Sequence, residues 1–113
     1  MSNTVNMETR RRGYHHGDLR QALVDAGLRL LAERTAEGVG LRELAREVGV
    51  SATSVYRHFP DKAALMTALA AEGLRQLAAA QRAAAEAAGG GDRGFAATGA
   101  AYVRFALANP ALF

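Results

Sequence analysis

The sequence predicts an all-α fold, and three observations support this prediction. Apolar residues recur at spacings of four, three and four, which is the repeat of an amphipathic helix. They are Leu19, Leu23, Ala26 and Leu30. Alanine, which has the highest helix propensity, fills much of the segment 61–88. Glycine and proline separate these segments and end helices, so we expect short helices followed by a long one.

Composition restricts the classes of function. The 113 residues carry a formal net charge of +3, which permits binding to a polyanion. No cysteine is present, which excludes a disulfide framework, a thiol nucleophile and a cysteine-based zinc site. The polar start of the sequence does not look like a signal peptide, and no apolar run is long enough to span a bilayer. We therefore expect a cytoplasmic protein without a membrane partner.

The sequence also lacks the arrangements that catalysis requires. It contains no paired carboxylates in an apolar setting, no phosphate-binding loop and no cluster of metal ligands. His15 and His16 are neighbours, but adjacent side chains diverge on a helix or strand. We therefore predict a protein that is not an enzyme and that uses no cofactor and no metal.

The first helix is expected to begin at Asp18, whose carboxylate can cap its free amides. Gly27 lies inside this helix, where glycine costs about 1 kcal/mol relative to alanine. This cost suggests that Gly27 marks a close crossing with another helix. Residues 35–40 form the loop that follows, with Gly38 and Gly40 as helix breakers.

The centre of the chain predicts two helices joined by a glycine turn. Residues 41–48 place their apolar side chains on one helical face. Gly49 supplies the backbone freedom of a tight turn, and small Ala45 lies four residues earlier. We expect this small pair to mark the closest approach of the two helices. Ser51 is a good N-cap for the second helix.

The second helix, residues 52–59, is expected to have one apolar and one polar face. Val55 and Phe59 are four residues apart and should be buried. Pro60 ends the helix and Asp61 caps the next one. Small residues at its start and polar ones further on suit a DNA major groove. The alternative is an ordinary helical hairpin within a bundle.

Two more helices are expected at 61–88 and 92–107, with glycines 89–91 between them. The apolar positions of the longer helix are Leu65, Leu69, Leu74 and Leu77. The large apolar residues that follow it are Phe95, Tyr102, Phe105, Leu112 and Phe113. We expect several of these last side chains to remain exposed, because few residues are present to cover them.

Residues 41–65 resemble the DNA-binding domain of TetR-family (TetR/AcrR-type) transcriptional regulators. The run Tyr-Arg-His-Phe-Pro-Asp-Lys at 56–62 is the most specific part, and the resemblance continues through 14–19 and 101–113. It implies a three-helix helix-turn-helix domain, a long connecting helix and the first part of a helical effector and dimerisation domain. The expected boundaries are a disordered basic arm at 1–13, the DNA-binding domain at 14–74 with its helix-turn-helix at 40–59, and an incomplete C-terminal domain at 75–113.

The resemblance implies a set of DNA-binding residues. Ala52, Thr53 and Ser54 occupy variable, base-facing positions, while Tyr56, His58 and Lys62 match positions that contact the backbone. Arg57 is expected at a phosphate or a guanine. The remaining expected contacts are Ser51, Arg42 and the arm residues Arg10, Arg11 and Arg12. The alternative for the arm is a solvated basic tail, and for Arg42 and Lys62 solvated surface charges. Tyr56 is alternatively a half-buried packing residue.

One position departs from the family pattern. The family usually has Thr or Ser just before the position of Leu41, where this chain has Gly40. Glycine is a tolerable cap, but it has no side chain with which to hold a phosphate.

The predicted function is that of a sequence-specific, DNA-binding transcriptional regulator. By resemblance it is a ligand-responsive repressor that binds a palindromic operator in double-stranded DNA as a homodimer, close to the nucleoid. A small-molecule effector would act by favouring a dimer conformation that is unsuited to DNA. The alternative is a truncated helical module that pairs with full-length relatives and does not itself regulate DNA.

Overall fold

The computed structural model describes residues 16–34 and 36–113, which form five α-helices and two short 3-10 turns. The helices are α1 (His16–Glu33), α2 (Leu41–Val48), α3 (Ala52–His58), α4 (Lys62–Ala87) and α5 (Gly91–Ala108). The 3-10 turns are Ala36–Gly38 and Pro110–Leu112. The predicted all-α fold is therefore confirmed. None of the described helices is long and apolar enough to cross a membrane.

The chain divides into two compact units, Met1–Leu69 and Ala70–Phe113. In the first unit, α2 packs against both α1 and α3. Every helix of this unit contributes to one apolar core. Its largest fully buried side chains are Leu23, Val39, Leu44, Val55, Phe59, Leu65 and Leu69. The core thus holds the two central helices against the first helix and the start of α4.

The sequence predicted the bounds of α2 correctly, but it placed the start of α1 too late. That helix already includes His16, so Asp18 lies in its first turn and is not its cap. A carboxylate in the first turn still interacts favourably with the positive end of the helix dipole. The charge of Asp18 therefore favours the helix without marking its beginning.

The close crossing predicted at Gly27 is confirmed. A Cβ atom added to Gly27 would lie 2.9 Å from Cδ2 of Leu69, which is itself buried. A contact of that length is a steric overlap in a close-packed core. Glycine at position 27 therefore permits α1 to approach the part of α4 that belongs to the first unit.

The turn between α2 and α3 requires glycine for its backbone conformation, as predicted. Gly49 has φ 85° and ψ 35°, which is the left-handed region. The N–H groups of Gly49 and Val50 both donate to the carbonyl of Ala45, at 2.8 and 3.0 Å. A Cβ atom on Gly49 would meet nothing within 4 Å. The predicted backbone role of Gly49 is therefore confirmed, whereas packing around its Cβ position does not require glycine.

The second unit contains the remainder of α4, then α5 and the 3-10 turn. Gly89, Gly90 and Gly91 all have positive φ, and the N–H of Gly90 donates to the carbonyl of Ala85 at 3.0 Å. The chain reverses there, and Gly94 of α5 lies against the backbone of α4. A Cβ atom on Gly94 would be 3.2 Å from the carbonyl oxygen of Ala85.

Burial in this second unit only partly follows the sequence pattern. Leu77 and Ala101 are buried, but Leu74 is 66% exposed, although the pattern placed it with the other apolar positions of the helix. Phe95 and Leu107 are 82% and 77% exposed. The exposure expected near the end of the chain is confirmed for Tyr102 and Phe113, at 44% and 60%, whereas Phe105 and Leu112 are half-buried.

Replacing Gly49 tests the turn. We expect Gly49→Ala to lower the free energy of unfolding by about 1–2 kcal/mol, because a side chain disfavours the left-handed conformation by that amount. Gly49→Asn is the matched control, since asparagine enters this region more readily. Thermal unfolding followed by circular dichroism measures both variants. Equal losses for alanine and asparagine would contradict the conformational explanation.

Candidate nucleic-acid interface

Ser51 sets the start of α3. Its backbone is extended, and its hydroxyl oxygen accepts a hydrogen bond from the N–H of Ser54 at 3.1 Å. The two hydroxyl groups also lie 3.0 Å apart and share a hydrogen bond. The predicted N-cap is confirmed. The side chain of Ser54 is itself hydrogen-bonded to this cap.

Two buried side chains orient α3. Val55 is fully buried and Phe59, which follows the helix, is 1% exposed. The N–H of Phe59 donates to the carbonyl of Val55 at 2.8 Å, which completes the end of the helix. The predicted burial of this apolar pair is confirmed. Because these residues occupy one face, the remaining faces of α3 point away from the core of the first unit.

The polar residues of α3 lie on those remaining faces. Thr53 and Arg57 are exposed, and Tyr56 is 41% exposed. Ala52 and Ser54 are half-buried. His58 is also half-buried, and the centroid of its ring lies 6.3 Å from that of Phe59. The predicted base-facing residues thus share one short helix with Tyr56 and His58, two of the three residues matched to backbone contacts.

Lys62 begins the next helix. Asp61 caps α4 as predicted, because its Oδ1 accepts a hydrogen bond from the N–H of Ala64 at 2.8 Å. This cap fixes the first turn of α4 three residues after Phe59. Lys62, in that first turn, is half-buried. The structure therefore places its ammonium group on the segment that directly follows α3.

The start of α2 is held without a side-chain cap. Gly40 is the N-cap and makes no side-chain hydrogen bond, as its lack of a side chain requires. Arg34, at the end of α1, instead donates a hydrogen bond to Glu43 in the first turn of α2. This bond raises the pKa of Arg34 above its ordinary value. Arg42 is exposed on the same helix.

The arm residues Arg10, Arg11 and Arg12 lie outside the described residues. Within the described part, sequence reasoning missed a contact from Arg20 on α1. The Cζ atom of Arg20 lies 4.8 Å from the centroid of the Phe59 ring. No local pattern could have indicated this pair, because its members are far apart in the sequence and meet only in the folded unit.

No group of three or more metal-ligating side chains occurs within residues 16–34 and 36–113.

A capped helix that follows a left-handed glycine turn, with its core face buried and its polar face exposed, is a helix-turn-helix. The first unit therefore defines an all-α helix-turn-helix protein.

Comparison with known proteins finds a family to which this helix-turn-helix is similar. Residues 23–69 match the family described as "Bacterial regulatory proteins, tetR family". This segment, which contains α2, α3 and the start of α4, is therefore similar to that family, and it covers less than half of the chain.

A relative from Haemophilus influenzae is named "Uncharacterized HTH-type transcriptional regulator". It is 54% identical over 43 residues, which are 37% of this chain and 21% of the relative. The chain thus aligns with about a fifth of that protein's length. No solved structure matches the chain.

Removal of the Ser51 hydroxyl tests the start of α3. We expect Ser51→Ala to lower the free energy of unfolding by about 1 kcal/mol, because the N–H of Ser54 loses its acceptor. Ser51→Asp keeps an acceptor at the cap and should stay close to the original protein. Chemical denaturation with urea measures both variants. An alanine variant as stable as the aspartate variant would show that the cap contributes nothing.

Proposed function

We propose that this protein is a sequence-specific, DNA-binding transcriptional regulator that inserts α3 into the major groove. The observation that carries the proposal is the division of α3 into a buried face, anchored by Val55 and Phe59, and an exposed polar face. A helix-turn-helix places its second helix in the major groove with its first residues at the base edges. The match of residues 23–69 to the tetR family of bacterial regulatory proteins supports the same function.

Base recognition is assigned to the first turn of α3. Ala52, Thr53 and Ser54 are small, which allows the helix to approach base edges. The hydroxyl of Ser54 is engaged with Ser51, whereas the side chain of Thr53 is exposed. Thr53 is therefore the principal base-reading residue, through its methyl group against thymine or its hydroxyl against a base edge. The remaining specificity comes from DNA shape, since none of the three is charged.

Backbone binding is assigned to the polar residues that surround this turn. Arg57 and Arg42 are exposed cations, and Lys62 follows α3 directly. Together with Tyr56 and His58 they supply the donors that fix a protein on the phosphates without reading sequence. The arm residues Arg10, Arg11 and Arg12 add to this set in the proposal, on sequence grounds alone.

The regulatory part of the proposal concerns the second unit. We infer a ligand-responsive repressor that binds a palindromic operator as a homodimer in the cytoplasm, in association with the nucleoid. An effector would release DNA by favouring the dimer conformation that binds it poorly. Residues Gly73, Leu77, Phe105 and Leu112 help to line an apolar cavity of about 190 Å³. This volume lies below the range of ligand pockets, which begins at about 300 Å³, so an effector would need further walls.

A second function is favoured by the exposed apolar side chains of the second unit. Leu74, Phe95 and Leu107 are 66%, 82% and 77% exposed, and apolar surface of this kind promotes association. In this alternative the chain is a helical module that pairs with full-length relatives and does not itself regulate DNA. DNA binding by the chain alone separates the two functions.

Selection of bound duplexes from a random DNA pool tests the proposal. We expect enrichment of a palindrome, because a symmetric dimer reads two equivalent half-sites. The control protein carries Tyr56→Ala and Lys62→Ala, which removes two proposed backbone contacts and should abolish the enrichment. Enrichment of a single half-site would support DNA recognition by α3 and would reject the proposed dimer. Identical results with the control would reject DNA recognition and favour the pairing module.

Two single variants separate base reading from backbone binding. Thr53→Ala should change the preference at one base position of each half-site, at a cost of about 1–3 kcal/mol in discrimination. Lys62→Ala should weaken binding to all sequences similarly and make the salt dependence shallower by about one phosphate contact. Arg29→Ala, which removes an exposed charge elsewhere on α1, is the control. Competition assays over single-base variants of the selected duplex measure both effects, and an unchanged preference for Thr53→Ala would remove that residue from base readout.

A further inference from the structure

Arg20 occupies an unusual place in the first unit. Its Cζ atom lies 4.8 Å from the centroid of the Phe59 ring, although its side chain is exposed. Phe59 beneath it is 1% exposed. The guanidinium group is planar and carries its five N–H donors around its edge, so a ring contact on its face leaves those donors available. Arg20 forms no ion pair or hydrogen bond with any residue in 16–34 or 36–113.

The ring contact places this charge next to the DNA-reading helix. Phe59 closes the end of α3, because its N–H donates to the carbonyl of Val55. It lies between His58 and Lys62, both of which are assigned to phosphates. Contact with Phe59 therefore brings a fixed positive charge from α1 to the junction between α3 and α4.

We propose that Arg20 binds a phosphate of the DNA backbone, with the Phe59 ring as the platform that holds its guanidinium group in place. This inference rests on the proposed function of α3. An anchored guanidinium loses little freedom on binding, and its edge matches two phosphate oxygens in a bidentate hydrogen bond. The buried Phe59 thus orients both the recognition helix and a phosphate-binding group beside it.

The alternative role for Arg20 is a purely structural one, in which it covers the Phe59 ring and stabilises the fold. Salt dependence distinguishes the two roles. The logarithm of the binding constant falls linearly with the logarithm of the salt concentration. Each phosphate that the protein neutralises makes this slope steeper by about 0.9. A side chain that only covers a ring does not affect this slope.

The test measures binding of the full chain to a short duplex pool of random sequence over a series of salt concentrations. Phosphate contacts are independent of sequence, so no operator is needed. Arg20→Met removes the charge but keeps an unbranched side chain, with a sulfur atom that packs well on a ring. Arg20→Lys keeps the charge without the planar fork. Arg29→Ala is the charge control, because Arg29 is exposed on the opposite side of α1, nine residues further along.

For Arg20→Met we expect a slope shallower by about 0.9 per bound chain and binding weaker by about five- to tenfold near 0.1 M salt. Arg20→Lys should keep the original slope, and Arg29→Ala should keep both slope and affinity. Thermal unfolding of each variant establishes that it is folded at the temperature of the assay. If Arg20→Met and Arg20→Lys both keep the original slope, the proposed phosphate contact is rejected and the structural role of Arg20 remains. If the original chain binds the pool without salt dependence, the proposed function itself fails.

Discussion

The burial of Phe59 is the constraint on which the proposed DNA-binding surface depends. Phe59 is 1% exposed, its backbone N–H donates to the carbonyl of Val55 at the end of α3, and the Cζ atom of Arg20 lies over its ring. Together with fully buried Val55, it decides which side of α3 faces the core. Burying an aromatic side chain contributes about 1.5–3 kcal/mol. The exposure of Thr53 and Arg57 is therefore a consequence of packing on the opposite face.

Helix α2 connects α3 to the rest of the first unit, because it packs against both α1 and α3. Its start lacks a side-chain cap, and the ion pair between Arg34 and Glu43 that spans it is exposed on both sides. Exposed ion pairs contribute only about 0–1 kcal/mol, so this pair cannot hold the helix alone. The buried side chains of Leu44, Ala45 and Val48 do so instead. Apolar burial, not surface charge, thus fixes the turn that aims α3.

Local features of the sequence were sufficient to predict most of the helix-turn-helix. The bounds of α2, the cap at Ser51 and the burial of Val55 follow from periodicity and capping chemistry, which act within a few residues. Features that depend on distant residues could not be obtained in this way. The contact of Arg20 with Phe59 is one, and the exposure of Leu74 in an apolar pattern is another. Which side chains touch DNA remains a prediction, because that choice depends on the shape of the DNA as well as on the chain.

The two units bury their large apolar side chains to different degrees. The first unit buries its large apolar side chains from every helix and presents charged and hydroxyl groups at α3. In the second, the rings of Tyr102 and Phe113 meet edge to face at 5.6 Å, yet both are more than 40% exposed. DNA binding needs exposed polar groups on a rigid support, whereas exposed aromatic rings gain free energy only when something covers them. The first unit thus presents the exposed polar groups that the proposed DNA binding requires, whereas the second unit presents apolar side chains that a partner or ligand would have to cover.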